Sequence, residues 1–200
     1  MNTKSKDTKR TAFIDQFDDI KILQYTFDEF NQLPLNTKIL IYYLSRAAIS
    51  GRDIIYDQNY KHNLLIRKSL EIILENHNTN DSAEEFIHFI HYLKRIWYSN
   101  GIHDPFSKEK FIPSFSYEFL VQLIKESFDK GLDQFFNNHQ EAVETLSQLI
   151  FDPDIASRGV EQDASKDIIQ ESAVNFYEGV NVKEAELYYT KLQKENPFLS

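Results

Sequence analysis

Glycine and proline are scarce in this chain: five of each in 200 residues, spaced as punctuation and not clustered. Between these breaks the apolar residues recur at three- and four-residue spacing, which places them on one face of a helix. That pattern predicts a mainly α fold, with room for one or two short strands. Residues 1–12 read as a disordered, hydrophilic tail, and 13–200 as one helical piece. The 16 Phe and 11 Tyr are ample for a core. No repeat at a solenoid period and no low-complexity tract occurs.

The helices follow from local signals. One is expected at about 36–50, with Asn36 as N-cap after Pro34, Gly51 as the residue that stops it, and Ile39, Tyr43, Leu44 and Ala47 on one face. A second is expected at 60–75, built on Leu64, Ile66, Leu70, Ile73 and Leu74, and ended by the turn chemistry of NHNTN. A third starts at Ser82, whose spacing to Glu85 is that of a capping box. It carries Phe86, Ile90, Leu93 and Trp97, and stops at Asn100-Gly101. Ser116 caps a fourth at 117–130, ended by Gly131, and 132–150 gives a fifth. Asn181 with Glu184 opens a last helix to about Lys194. The stretch 151–165 is a polar connector. Both 17–30 and 167–176 read equally as helix or strand.

Composition excludes several classes. Cysteine is absent, so disulfides, thiolate catalysis and Cys-based zinc sites are excluded. The net charge of −9 argues against non-specific nucleic-acid binding. The basic cluster Lys4, Lys6, Lys9 and Arg10 reads as a solvated tail. No apolar run approaches the ~18–20 residues of a membrane span, and the N-terminus has no apolar signal core. A cytoplasmic protein is expected, with no membrane partner.

Candidate chemistry is sparse. His88 and His91 stand one helical turn apart, but a metal site needs further ligands and Arg95 disfavours a cation, so they read as a polar face. No H-E-x-x-H helix, P-loop, G-x-S-x-G elbow or G-x-G-x-x-G turn occurs. Glu84-Glu85 suits the positive end of a helix dipole, and Arg46, Arg52 and Asp53 read as an ion-paired corner between two helices. His103-Asp104 is an acid–base pair only if two adjacent side chains point together. The stretch WYSNGIHDPFSKEKFIPSFSY is unusual for a loop, because Phe106, Phe111 and Phe115 must either pack beneath it or line a cavity. Packing is the reading favoured by the residues alone, since exposed aromatic clusters are costly.

Three stretches, LSRAAISGRDIIYDQN, RIWYSNGIHDPFSKEKFIPSF and ESAVNFYEGVNVKEAE, occur in an order and spacing that resemble the N-terminal part of dipeptidyl peptidase III, the M49 zinc metallopeptidases, bacterial members above all. The likeness covers about 15–200. It implies the helical N-terminal portion of the first, non-zinc lobe of a two-lobed metallopeptidase that releases dipeptides from peptide N-termini. The family's zinc lies in the other lobe, on an H-E-x-x-G-H helix with a second E-E-x-x-[RK] motif. Neither motif is in this sequence, so no catalytic residue, no metal ligand and no cofactor is expected in this segment, and zinc only in the complete enzyme. The ending at ENPFLS, apolar and without a polar tail, reads as a chain incomplete at its C-terminus. By the same resemblance the loop ending in Lys110-Phe111-Ile112-Pro113 brings an aromatic to the peptide cleft. Phe106 falls at that position with Ser107 beside it as the substrate-binding pair, while Tyr98, Asn100 and Phe111 hold the loop to the scaffold. Pro105 before the aromatic and Lys108-Glu109 after it depart from the family pattern. The expected partners are a peptide substrate and the catalytic lobe. The alternative is a free-standing helical protein-interaction module without catalysis, and a third reading is a small metal-binding protein using His88 and His91.

Overall fold

The computed structural model describes residues 12–77, 83–196 and 198. The expectations for the basic tail, for a cap at Ser82 and for most of the NHNTN turn lie outside the described residues. Two compact units are present, Met1–Ser50 and Gly51–Ser200. The class is mostly helical with one small antiparallel sheet.

In the first unit, β1 (Phe13–Phe17) pairs antiparallel with β2 (Ile20–Leu23), with a register irregularity between Phe13 and Asp15. Asp18 makes the turn at φ 49°, a left-handed conformation that aspartate tolerates better than most residues. The ambiguous 17–30 stretch therefore holds a strand, followed by a 3-10 turn at Asp28–Gln32. Helix α1 (Leu35–Ser50) begins earlier than expected, because Lys38 N–H donates to Pro34 O at 3.1 Å. Asn36 is thus inside the first turn and does not cap it. Gly51 has right-handed dihedrals (φ −84°, ψ −1°) and is no left-handed stop. The expected apolar face on α1 exists but is not buried: Tyr43 is 65% and Leu44 60% exposed.

The second unit contains α2 (Arg52–Asn59), α3 (Asn63–Asn76), α4 (Glu84–Ser99), α5 (Tyr117–Ser127), α6 (His139–Phe151) and α7 (Val182–Glu195). Helix α3 is the hub, packing against α2, α4, α5 and α6. Its Ile66, Leu70 and Ile73 are fully buried, as periodicity predicts, while Leu64 and Leu74 flank the core. The expected 60–75 helix is shorter at its start. Tyr60 is extended (φ −170°) and closes α2, whose existence the spacing did not reveal. On α4 the buried stripe is Phe86, Phe89, Leu93 and Ile96; Ile90 and Trp97 are half-buried at its margin.

Three expected boundary signals are in place. Asn100 is left-handed (φ 53°) and ends α4. Ser116 Oγ accepts from Phe119 N–H at 3.2 Å, and Asn181 forms a complete capping box with Glu184. The expected 132–150 helix is broken: a 3-10 turn at Leu132–Gln134 precedes α6, which Asn138 caps by accepting from Glu141 N–H at 2.9 Å. The 167–176 stretch is neither helix nor strand. Its backbone is satisfied piecemeal, by Asp167 Oδ1, by Gln58 O and by the carbonyls of Arg158 and Gly159. Among the described residues no helix is long and apolar enough to cross a membrane.

Candidate functional site

The 100–116 loop is anchored far more firmly than its sequence suggests. Asn100 and Gly101 both return their N–H groups to Ile96 O, turning the chain sharply off α4. Gly101 is at φ +149°, and a Cβ there would overlap the side-chain amide of Asn63. The fully buried Asn63 uses that closeness: its Oδ1 accepts from Ile102 N–H at 3.1 Å and its Nδ2 donates to Tyr56 O at 3.1 Å. Asn59 adds a bond from Nδ2 to Asn100 O at 3.0 Å.

The loop then folds back on itself. Asp104 N–H donates to Glu109 O, Phe111 N–H to Ile102 O, and Lys110 N–H to Ser157 O. Gly159 N–H donates to Lys108 O, and Val174 N–H to Gly159 O. Isolated bridges join His103 to Lys110 and Glu109 to Arg158, and single backbone bonds from Ala173 and Val174 N–H to Arg158 and Gly159 O continue the chain of contacts without forming regular strands. Lys110 is buried beneath, with Nζ donating to Asp152 O at 2.5 Å and Ile155 O at 2.9 Å. Burial pushes its ammonium down to about 8, against the pull of the Asp152 charge.

The tip is preorganised by Asp104. Its Oδ1 accepts from Ser107 N–H at 2.7 Å and Phe106 N–H at 2.8 Å, and these bonds, Ser107's foremost, hold its carboxyl below the usual range. Ser107 Oγ in turn accepts from Glu109 N–H at 3.3 Å. The three loop phenylalanines have three fates. Phe115 is in the core, Phe111 is half-buried with the Arg95 guanidinium 5.4 Å over its ring, and Phe106 is 82% exposed. Packing therefore explains Phe111 and Phe115 and leaves Phe106 unexplained. Of the expected loop anchors, Asn100 and Phe111 make such contacts, whereas Tyr98 is 45% exposed. The anchors that sequence reasoning missed are Asn63 and Lys110. A buried amide and a buried lysine leave no periodic trace.

His103 and Asp104 do not form a pair. His103 is buried and turned to Ala156 O, while Asp104 serves the loop tip. The corner at Asp53 is ion-paired, though to α3: Arg67 at 2.9 Å and Lys68 at 3.7 Å. Glu85 does more than face a helix dipole, since its Oε2 accepts from Ser116 N–H at 2.7 Å and closes the far end of the loop. His88 and His91 are half-buried on α4, and among the described residues no three His, Asp or Glu side chains form a group that could hold a metal.

Beside the loop a cleft of about 430 Å³ opens between Tyr60, Ala156 and the 169–180 segment. Its neighbouring loop is tied by Glu161, which accepts from Lys166 Nζ at 2.7 Å and from the N–H groups of Gln162 and Asp163. The Lys166 bond, first among these, holds the Glu161 carboxyl down at about 2. A carboxyl lowered from 4.5 contributes stability that is present above pH 4.5 and lost as pH falls toward 2. Glu161→Gln is expected to flatten the acid-side decline in stability across that window. Equal slopes for the two proteins in denaturant titrations from pH 5 to 2 would remove Glu161 from the acid response.

No family model and no curated protein matches this chain.

Proposed function

We propose that this chain forms part of the substrate-facing wall of a zinc exopeptidase of the dipeptidyl peptidase III type, which releases dipeptides from peptide N-termini. The observation that carries the reading is Phe106: a large aromatic, 82% exposed, on a loop tip fixed by two bonds to one carboxylate. Exposing such a ring forgoes apolar burial, and fixing it removes the entropy that binding would otherwise have to overcome. Ser107 beside it belongs to the same proposed subsite, on the turn that Asp104 holds. The zinc and its general base belong, on this reading, to sequence outside these 200 residues, and this segment alone hydrolyses nothing. A cytoplasmic setting goes with it.

The broad apolar exposure of α1, including Leu35, Leu40, Tyr42, Tyr43 and Leu44, supports a chain that works against another protein surface. In the peptidase reading that surface is the catalytic lobe. The same exposure favours a second reading, a helical interaction module without catalysis. Reading the gene beyond the Ser200 codon separates them: an H-E-x-x-G-H helix downstream supports the peptidase, and a stop codon there leaves the module.

In the complete protein, Phe106→Ala is expected to raise KM for short peptides roughly five- to tenfold, the loss of one apolar wall. Zinc content and kcat stay near wild type. Unchanged peptide kinetics would take Phe106 out of the site.

A further inference from the structure

His103 stands at the base of the hairpin that carries Phe106, and its ring is enclosed by three segments. On its own hairpin it is bridged to Lys110. From the 156–159 segment, Gly159 backs the ring so closely that a Cβ there would lie 3.3 Å from His103 Cβ and Cγ. From the end of α2, the Tyr60 ring meets it edge-on at 6.1 Å.

The two ring nitrogens differ. Nε2 lies 2.6 Å from Ala156 O. A carbonyl only accepts, so Nε2 carries the hydrogen, and in the neutral ring Nδ1 has a bare lone pair. Nδ1 is sealed from water and has no hydrogen-bond partner among the described residues. Protonation would place a hydrogen there with no acceptor, on a ring that has lost its solvent, and an unpaired buried charge is costly. Burial is the foremost cause holding the imidazole below its ordinary value. The Ala156 bond opposes it, the Lys110 and Lys108 charges add to it, and the net direction is down. The ionisable groups of the surrounding segments are engaged elsewhere. Burial raises Tyr60 and keeps it neutral, and lowers His62 behind it. Asp152 acts on Lys110, Arg158 pairs with Glu109 at 3.7 Å, and Asp104 holds the loop tip. Ala156, which accepts the Nε2 bond, is left-handed at φ 52°, a conformation costly to alanine. The segment therefore relaxes if that bond is given up.

We infer that His103 is an acid-sensitive latch: neutral, it holds the 102–111 hairpin on the 156–159 segment, and protonation shifts the hairpin, with Phe106 at its tip, toward an undocked state. That the hairpin carries a peptide wall rests on the reading above; the undocking does not. A ring that takes up a proton less readily docked than open binds fewer protons docked, so acid favours the open state. With an exposed imidazole titrating at ~6.5, the open fraction rises at most about tenfold between pH 7.5 and 5.5.

Amide hydrogen exchange on the full chain tests this without substrate. Lys110 N–H to Ser157 O and Gly159 N–H to Lys108 O join the hairpin to the segment, so these two amides report undocking. After division by the intrinsic rates, their protection is expected to fall several-fold, up to about tenfold, from pH 7.5 to 5.5, while remaining below that of Leu70 in the α3 core. In His103→Gln, whose amide can still donate to Ala156 O but does not titrate, the protection should be flat across this range. In His62→Gln the fall should persist. Constant protection in the wild type, an equal fall in His103→Gln, loss of the fall in His62→Gln, or protection identical to that of Leu70 at both pH values overturns the latch. Should His103→Gln not fold, the His103 ring is titrated by NMR in the wild type. A midpoint below that of an exposed imidazole supports the latch, and one at or above ~6.5 overturns it.

Discussion

Phe115→Ala is expected to lower the unfolding free energy of the chain by about 3–5 kcal/mol, the usual range for emptying a core phenylalanine site. Phe115 is 2% exposed and meets four rings from three helices: Phe89 and Tyr92 on α4 at 5.7 Å, Phe119 on α5 at 6.5 Å, and Phe151 on α6 at 5.6 Å. These rings cannot all move inward to fill one void, since each is held by its own helix, so little of the cavity collapses. Most of the contacts are tilted or edge-on, the geometry in which aromatic pairs attract beyond their area. Phe115→Leu restores part of the volume and should cost about 1–1.5 kcal/mol. Equilibrium urea unfolding of the two variants measures this. A loss below about 1 kcal/mol for the alanine variant would mean that the cluster is not packed as described.

The second large effect is at Asn63. Asn63→Ala removes the acceptor of Ile102 N–H and the donor to Tyr56 O. The two backbone groups do not suffer equally. Tyr56 O retains Tyr60 N–H at 3.2 Å, whereas Ile102 N–H, in a fully buried residue, has no other acceptor among the described residues. An orphaned donor costs about 1–3 kcal/mol and a lost bond about 1 kcal/mol, so a total near 3 kcal/mol is expected. Amide exchange at Ile102 should accelerate beyond what the global loss explains. Gly101→Ala attacks the same contact from the other side, since its Cβ overlaps the Asn63 amide and its backbone is left-handed. The two substitutions share one contact, so their costs should not add. Additive costs, or a wild-type exchange rate at Ile102 in Asn63→Ala, would show that the loop is held elsewhere.

These two residues also mark how far the sequence can be read. Ser116, Asn181-Glu184 and Asn100-Gly101 were legible because their chemistry is local: a cap side chain reaches an N–H three residues on, and a left-handed stop needs only its own dihedrals. The stripe Ile66, Leu70 and Ile73 was legible because helical period alone assigns a face. The α2 helix was missed because Gly51 resembles a terminator yet adopts right-handed dihedrals, and because Tyr60, not a glycine or proline, ends it. The 132–150 stretch was over-read as one helix because Asn138 lies among residues that tolerate either state.

Exposure was the property least accessible to sequence. Phe106, Phe111 and Phe115 are chemically alike and lie within ten residues, yet they are exposed, half-buried and buried in turn. Their fates depend on backbone bonds from the loop to 157–159 and on the buried Lys110 reaching Asp152 and Ile155, all partners more than forty residues away. By itself the sequence determined a mainly helical chain, its principal caps and the apolar faces of its helices, since all of these are set by interactions within four residues. Tertiary structure alone decided which faces are covered, which loop aromatic is presented, and that Asn63 and Lys110 hold the loop from beneath, because burial and long-range hydrogen bonds exist only once distant segments meet.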